Sequence, residues 1–337
     1  MGASVRAGWP LRLLAPSIGL LALALAGCGS VVGTSTLGPA LTIDNPTHSK
    51  ANGSPISLRE FPAGPYHALM PQGQRMYTLH YWSRGLDLQG YLDVPPGKGP
   101  FPVLVYLHGG DPTPEPAHWT GAPVYNPKAA AESANAHSIV FIPNYGGYGP
   151  SHGNICSPYD CVLDVENGLK ALSHLGGLYV KADATYPFGF SIGGYVAMAL
   201  AEHDPQVRAL VLDSPWPGAL AFEAWAQQTH LSRMDAADLS FWGMVKSAFG
   251  PNLQSVLYQE NSVQFNKMHV PILIIAGTKD NTIPPSLARF LYDRLHASGV
   301  EVKLQFVPGG HAPITLHVYQ LVQKWLLPQG FHLYIST

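Results

Sequence analysis

Two stretches of this chain are apolar almost without interruption: Phe101–Leu107 (FPVLVYL) and Val270–Ala276 (VPILIIA). A strand with no polar alternation has no face to offer water, so it belongs inside a sheet covered on both sides, as parallel sheets are. The segments around them alternate in kind. Met76–Trp82, Asp87–Val94, Ser138–Ile142, Thr185–Phe190, Val207–Leu212 and Glu301–Val307 also read as strands, eight in all. Asp160–His174 sets Val162, Val165, Leu169 and Leu172 three or four residues apart, giving one apolar helical face, and Ser191–His203, Pro285–Ala297 and Ile314–Leu327 read similarly. The alternation predicts an α/β fold: one doubly wound domain over residues 75–337, its first two strands an antiparallel pair and the rest parallel through right-handed crossovers.

The N-terminus follows other rules. Arg6 and Arg12 make it positive, no acidic residue precedes Asp44, and Leu13–Gly27 is an apolar run of 15 residues, short of the roughly 20 a spanning helix needs. The run ends in Leu25-Ala26-Gly27-Cys28, which resembles the lipobox of bacterial lipoproteins. That resemblance implies removal of residues 1–27, lipid on Cys28 and an extracytoplasmic domain tethered to a membrane in the bacterial cell envelope. An ordinary secretory signal with Cys28 incidental is the alternative. Residues 28–74 are rich in Ser, Thr, Gly and Pro and are expected to be a flexible tether.

Composition sets outer limits. With 19 basic and 21 acidic residues the net charge is −2, so no basic face for nucleic acid is expected. The 46% apolar content supports one large core. Besides Cys28 the cysteines are Cys156 and Cys161. In an oxidising compartment this spacing suggests a disulfide closing a small loop, with two free thiols as the alternative.

The chemistry centres on Gly189-Phe190-Ser191-Ile192-Gly193-Gly194, between a predicted strand and a predicted helix. A strand that turns abruptly into a helix crowds its backbone, and small neighbours let the Ser191 hydroxyl stand exposed in a strained turn. A serine nucleophile needs a base, and the base an orienting carboxylate, in the order Ser, acid, His. Asp280 lies just past the strand Val270–Ala276, where the sites of open α/β sheets collect. Asp213, past another strand, is the rival and reads as structural. His311, in Pro308-Gly309-Gly310-His311, follows the last strand and is the expected base; His317 lies inside a helix. The oxyanion donors are expected to be the backbone N–H of Ile192 and one of Gly109 and Gly110, from His108-Gly109-Gly110-Asp111. No H-E-x-x-H or similar ligand spacing occurs, so neither metal nor cofactor is expected.

Between the strands ending at Leu212 and beginning at Val270 lies a long insertion containing Trp216, Phe222, Trp225, Phe241, Trp242 and Phe249. It is expected to form a helical lid over about residues 215–268, its aromatics facing the site or packing the lid onto the body.

These pieces carry a family resemblance. Tyr106–Gly110 (YLHGG), Asn144–Gly149 (NYGGYG), Asp164-Val165-Glu166, Gly189–Tyr195 (GFSIGGY), Gly277–Asp280 (GTKD) and Pro308–His311 (PGGH) resemble the α/β-hydrolase superfamily. Within it the chain is most similar to the catalytic domain of the prolyl oligopeptidase (S9) serine peptidases. The resemblance implies a serine-type peptidase acting on peptides, with a carboxylic-ester hydrolase as the close alternative. A catalytically idle surface binding protein on the same fold is the third reading.

Overall fold

The computed structural model describes residues 37–44, 50–61, 66–114, 117–119, 130–131, 133–229, 234 and 236–333. The lipobox and Cys28 lie outside the described residues.

A nine-stranded sheet organises the molecule. Its strands are β2 (Pro55–Glu60), β3 (Arg75–Ser83), β4 (Leu86–Val94), β5 (Phe101–Leu107), β6 (Ile139–Pro143), β8 (Val180–Phe190), β9 (Leu210–Asp213), β10 (Ile272–Gly277) and β11 (Val302–Val307). Their spatial order is β11-β10-β9-β8-β5-β6-β4-β3-β2. From β11 to β6 neighbouring strands are parallel, and β4, β3 and β2 are added antiparallel. A separate antiparallel pair joins β1 (Thr42–Ile43) to β7 (Leu175–Gly176).

All eight strands expected from the sequence are present. The ninth, β2, corrects the expectation that residues 28–74 form a tether: Pro55–Glu60 is the edge strand on β3. Its sequence, PISLRE, buries little, so no long apolar run announces it. The β3–β4 turn needs left-handed backbone at both central residues, and Arg84 (φ 51°) and Gly85 (φ 77°) supply it.

Helices cover both faces. On one side lie α1 (Pro158–Leu172), α2 (Ile192–His203) and α6 (Pro285–Ala297), whose buried residues join a large apolar cluster with Leu79, Val105, Phe141 and Leu212. On the other lies α7 (Leu316–Leu326), which sets Val318, Val322 and Leu326 against Leu104, Phe188 and Leu273. The caps follow from sequence: Ser157 accepts from the Asp160 N–H, with Pro158 in the first turn, and Thr315 accepts from the Val318 N–H. The insertion holds α3 (Ala219–Thr229), α4 (Ala236–Phe249) and α5 (Val256–Glu260).

The topology places the site. From β5 the chain moves one way to β6 and later the other way to β8. This is a switch point, and the loops at the C-terminal ends of its strands flank an open crevice.

Candidate catalytic site

The turn after β8 is strained as its sequence requires. Ser191 has φ 53°, ψ −121°, outside the regions ordinary residues occupy. Its N–H donates to the Asp213 carbonyl at 3.1 Å, and its own carbonyl accepts from the N–H groups of Gly194 and Trp216, both at 2.9 Å. The flanking glycines are demanded by contact. A Cβ on Gly189 would collide with the Gly193 carbonyl, one on Gly193 with the carbonyls of Leu107 and His108, and one on Gly194 with Pro215. The elbow is therefore wedged directly against the loop after β5.

Asp280 and His311 come together from separate loops. The His311 Nδ1–H donates to Asp280 Oδ2 at 2.9 Å, while Asp280 Oδ1 accepts from the N–H groups of Thr282 and Ile283, each at 2.9 Å. Burial alone would raise the Asp280 carboxyl; the hydrogen bond and charge of His311, with the Ile283 and Thr282 amides, outweigh it and lower it below the ordinary value. The two loops are joined through backbone: Lys279 N–H donates to Gly309 O at 2.8 Å, and Gly277 packs against the Gly310 carbonyl too closely for any Cβ. With Nδ1 committed to Asp280, the other ring nitrogen, Nε2, is left to exchange a proton.

Asp213, the rival acid, sits at the end of β9, fully buried, and neither carboxylate oxygen has a hydrogen-bond partner among the described residues. Burial pushes its carboxyl up to about 8, with the Asp280 charge adding to the rise. His317 lies in α7, apart from this constellation. Ser214, which no sequence signal marked, has φ 48° and accepts through Oγ from the Ala312 N–H at 3.0 Å, tying β9 to the histidine loop. A non-glycine residue in left-handed backbone leaves no trace in composition.

In the loop after β5, Gly109 is buried and Gly110 partly open. Among the described residues, the N–H groups of Ile192, Gly109 and Gly110 have no hydrogen-bond partner. His108 points inward instead. Its ring stacks on Tyr145 with centroids 3.9 Å apart, and burial pushes its pKa down to about 4, so it is neutral.

The insertion aromatics pack rather than line. Trp216, Phe222, Trp225 and Phe249 are buried in the main apolar cluster, Phe222 stacking on Trp225 and meeting Phe241 edge-on. Glu223 binds Trp242 Nε1 at 2.9 Å and Lys246 Nζ at 3.0 Å, joining α3 to α4. Of the two roles open to the rings, these contacts serve the second.

The expected disulfide is not formed in this structure: Cys156 and Cys161 are unbonded and buried side by side, with their sulfurs 2.9 Å apart. Burial and the neighbouring Cys156 raise the Cys161 pKa and keep that thiol protonated.

Relatives agree with this frame. The uncharacterized peptidase YtmA of Bacillus subtilis is 27% identical over 245 residues, 71% of this chain and 84% of its own length. Among solved structures, the acylaminoacyl peptidase of Pyrococcus horikoshii superposes with a TM-score of 0.59 at 17% identity. That match covers 82% of this chain, which spans only 45% of the archaeal peptidase. An acetyl xylan esterase from Paenibacillus sp. R4 superposes with a TM-score of 0.58 at 17% identity, over 81% of this chain and 88% of the esterase. At these identities the superpositions establish the fold, that of the α/β-hydrolases. The model of the prolyl oligopeptidase family (Peptidase_S9) matches residues 134–327, more than half of the chain and all of the segment from β6 to α7. The chain is thus a serine hydrolase, and it belongs to the prolyl oligopeptidase family.

Proposed function

We propose that this hydrolase cleaves acyl bonds through an acyl-enzyme on Ser191, with His311 as general base and Asp280 as its orienting acid. One observation carries the reading: a serine forced into left-handed backbone at a strand–helix turn, in one fold with a histidine whose Nδ1 is fixed on a buried carboxylate. Ser191 Oγ attacks the substrate carbonyl while His311 Nε2 takes its proton, and the carbonyl electron pair moves onto oxygen. Collapse of this oxyanion expels the amine or alcohol, which leaves with the proton from His311, and water repeats the cycle to free the acid. The N–H of Ile192 and one from the loop after β5 receive the oxyanion.

The substrate is proposed to be a peptide, as the family suggests. The second reading, a carboxylic ester, draws on the acetyl xylan esterase, which this fold matches over 88% of its length. Matched p-nitrophenyl esters and aminoacyl p-nitroanilides decide between them. Turnover of anilides at rates approaching the esters, lost in Ser191→Ala, supports the peptidase; ester turnover alone makes it an esterase. Equal turnover by Ser191→Ala and wild type sinks both. Failure of a fluorophosphonate to label Ser191 would leave an idle binding protein.

We further propose that the protein is exported and held at a membrane by lipid on Cys28, on the strength of the basic start, apolar run and Leu-Ala-Gly-Cys ending. Cys28→Ser should release the protein into the soluble fraction. An unmodified Cys28 peptide from membranes overturns the proposal.

A further inference from the structure

We infer that Tyr148, in the loop after β6, is a positioning residue for the oxyanion hole, and that the donor it positions is the N–H of Gly110. The inference rests on the hydrolase reading above, with Ser191 as nucleophile.

Three amides follow β5 closely enough to serve: those of Gly109, Gly110 and Asp111. The Asp111 N–H is already taken, donating to the Tyr148 hydroxyl at 2.9 Å. The Gly109 N–H belongs to the peptide whose carbonyl is that of His108. That carbonyl faces the elbow, lying 2.8 Å from where a Cβ on Gly193 would be, and it also accepts from the Tyr145 hydroxyl at 3.2 Å. In a planar trans peptide the N–H points opposite the carbonyl, so the Gly109 N–H points away from the elbow.

The next peptide is turned over. The Gly109 carbonyl lies 2.6 Å from His108 Nδ1, and His108 Nε2 accepts from the Tyr145 N–H at 3.3 Å. A neutral imidazole that accepts at Nε2 carries its proton on Nδ1, so Nδ1–H donates to Gly109 O. His108 thereby holds that carbonyl inward and leaves the Gly110 N–H facing the opposite way, with no protein acceptor among the described residues.

Tyr148 closes the arrangement from the other side. A Cβ on Gly110 would run into the Tyr148 hydroxyl and lie 2.7 Å from its Cζ. Gly110 does not adopt left-handed backbone, so its lack of a side chain is required by the tyrosine ring. The ring has little freedom. It is fully buried, stacked near Trp119, edge-on to Tyr145, and carried between Gly147 (φ 83°) and Gly149 (φ 56°). Asp111 Oδ1 in turn accepts from the N–H and hydroxyl of Thr113, completing a braced loop. Tyr148 touches no reacting atom; it fixes the amides on either side of the donor's α-carbon.

Tyr148→Phe keeps the ring and deletes the acceptor. With a p-nitrophenyl ester, kcat should fall about 10- to 100-fold, as for a small misplacement of a catalytic group, with KM within about twofold. A trifluoromethyl ketone, whose adduct with Ser191 places an oxyanion at this point, should lose affinity in proportion to kcat/KM. A non-covalent alcohol analogue of the same shape should bind unchanged. Asp111→Pro removes the N–H that Tyr148 receives; its loss should match, and the double variant should lose no more than either single one. If Tyr148→Phe does not fold, Asp111→Pro decides alone. A kcat within twofold of wild type, or equal loss of affinity for the ketone and the alcohol, overturns the proposal. A wild-type enzyme unlabelled at Ser191 by fluorophosphonate would instead refute the underlying hydrolase reading, independently of Tyr148.

Discussion

Asp213 ends β9 and Asp280 lies in the loop just past its parallel neighbour β10, yet their surroundings give them opposite charge states. Asp280 accepts three hydrogen bonds and stays ionised; Asp213 accepts none from the described residues and keeps its proton to about pH 8. Asp280→Asn should lower kcat by about 10⁴, through loss of imidazole orientation, without changing the melting temperature by more than a few degrees. An activity within tenfold of wild type would exclude Asp280 as the acid. For Asp213 the expected effect is on stability. Its folded pKa is raised, so the stability it contributes is complete below about pH 4 and is lost as pH rises towards 8, because the unfolded chain releases the proton first. Asp213→Asn, an isostere of the neutral acid, should therefore gain stability relative to wild type across that window, measured by denaturant melts at fixed pH. A constant difference from pH 4 to 8 would show that Asp213 ionises normally. The sequence supported this choice of acid by placing Asp280 in a loop beyond a long buried strand, while Asp213 enters the insertion; the charge states themselves follow only from partners brought by other strands.

At the scale of elements, the elbow works because strand, turn and helix are fitted to a second loop. Gly193 lies against the carbonyls of Leu107 and His108, so Gly193→Ala must move backbone. A stability loss of about 1–3 kcal/mol is expected, with kcat reduced about 100-fold as the elbow and the loop after β5 separate. Thermal melts and ester kinetics check both, and an unchanged kcat would show that the loop tolerates the shift. The sequence announced the turn because its glycines are local. It did not announce which contacts require them, since Gly193 answers to a strand more than 80 positions earlier. The insertion was legible as helical and aromatic for a similar reason, but whether Phe222 and Trp225 faced substrate or core was fixed by the α3–α4 contact through Glu223.

Across the whole molecule, one buried ion pair ties three distant segments together. Asp164 on α1, its side chain fully buried, accepts from Arg84 Nε and Nη2 in the β3–β4 turn, from Ser83 Oγ and from the Gly146 N–H in the loop that carries Tyr148. Asp164→Ala leaves the Gly146 amide without its acceptor and Arg84 with only Asp160, 3.6 Å away, and should destabilise the protein by about 3 kcal/mol in denaturant melts, the low end for breaking a buried pair; a loss below about 1 kcal/mol would mean the pair contributes little. The sequence by itself determined the strand and helix alternation, the elbow, the loop positions of Asp280 and His311, and the family, because each depends on periodicity or on residues adjacent along the chain. Tertiary structure alone decided that Pro55–Glu60 completes the sheet, that Cys156 and Cys161 meet in the interior, that Asp213 holds a proton and that Tyr148 braces the loop after β5. Each of these depends on which polar groups and surfaces meet across long sequence separations, and burial makes such meetings energetically decisive without marking them locally.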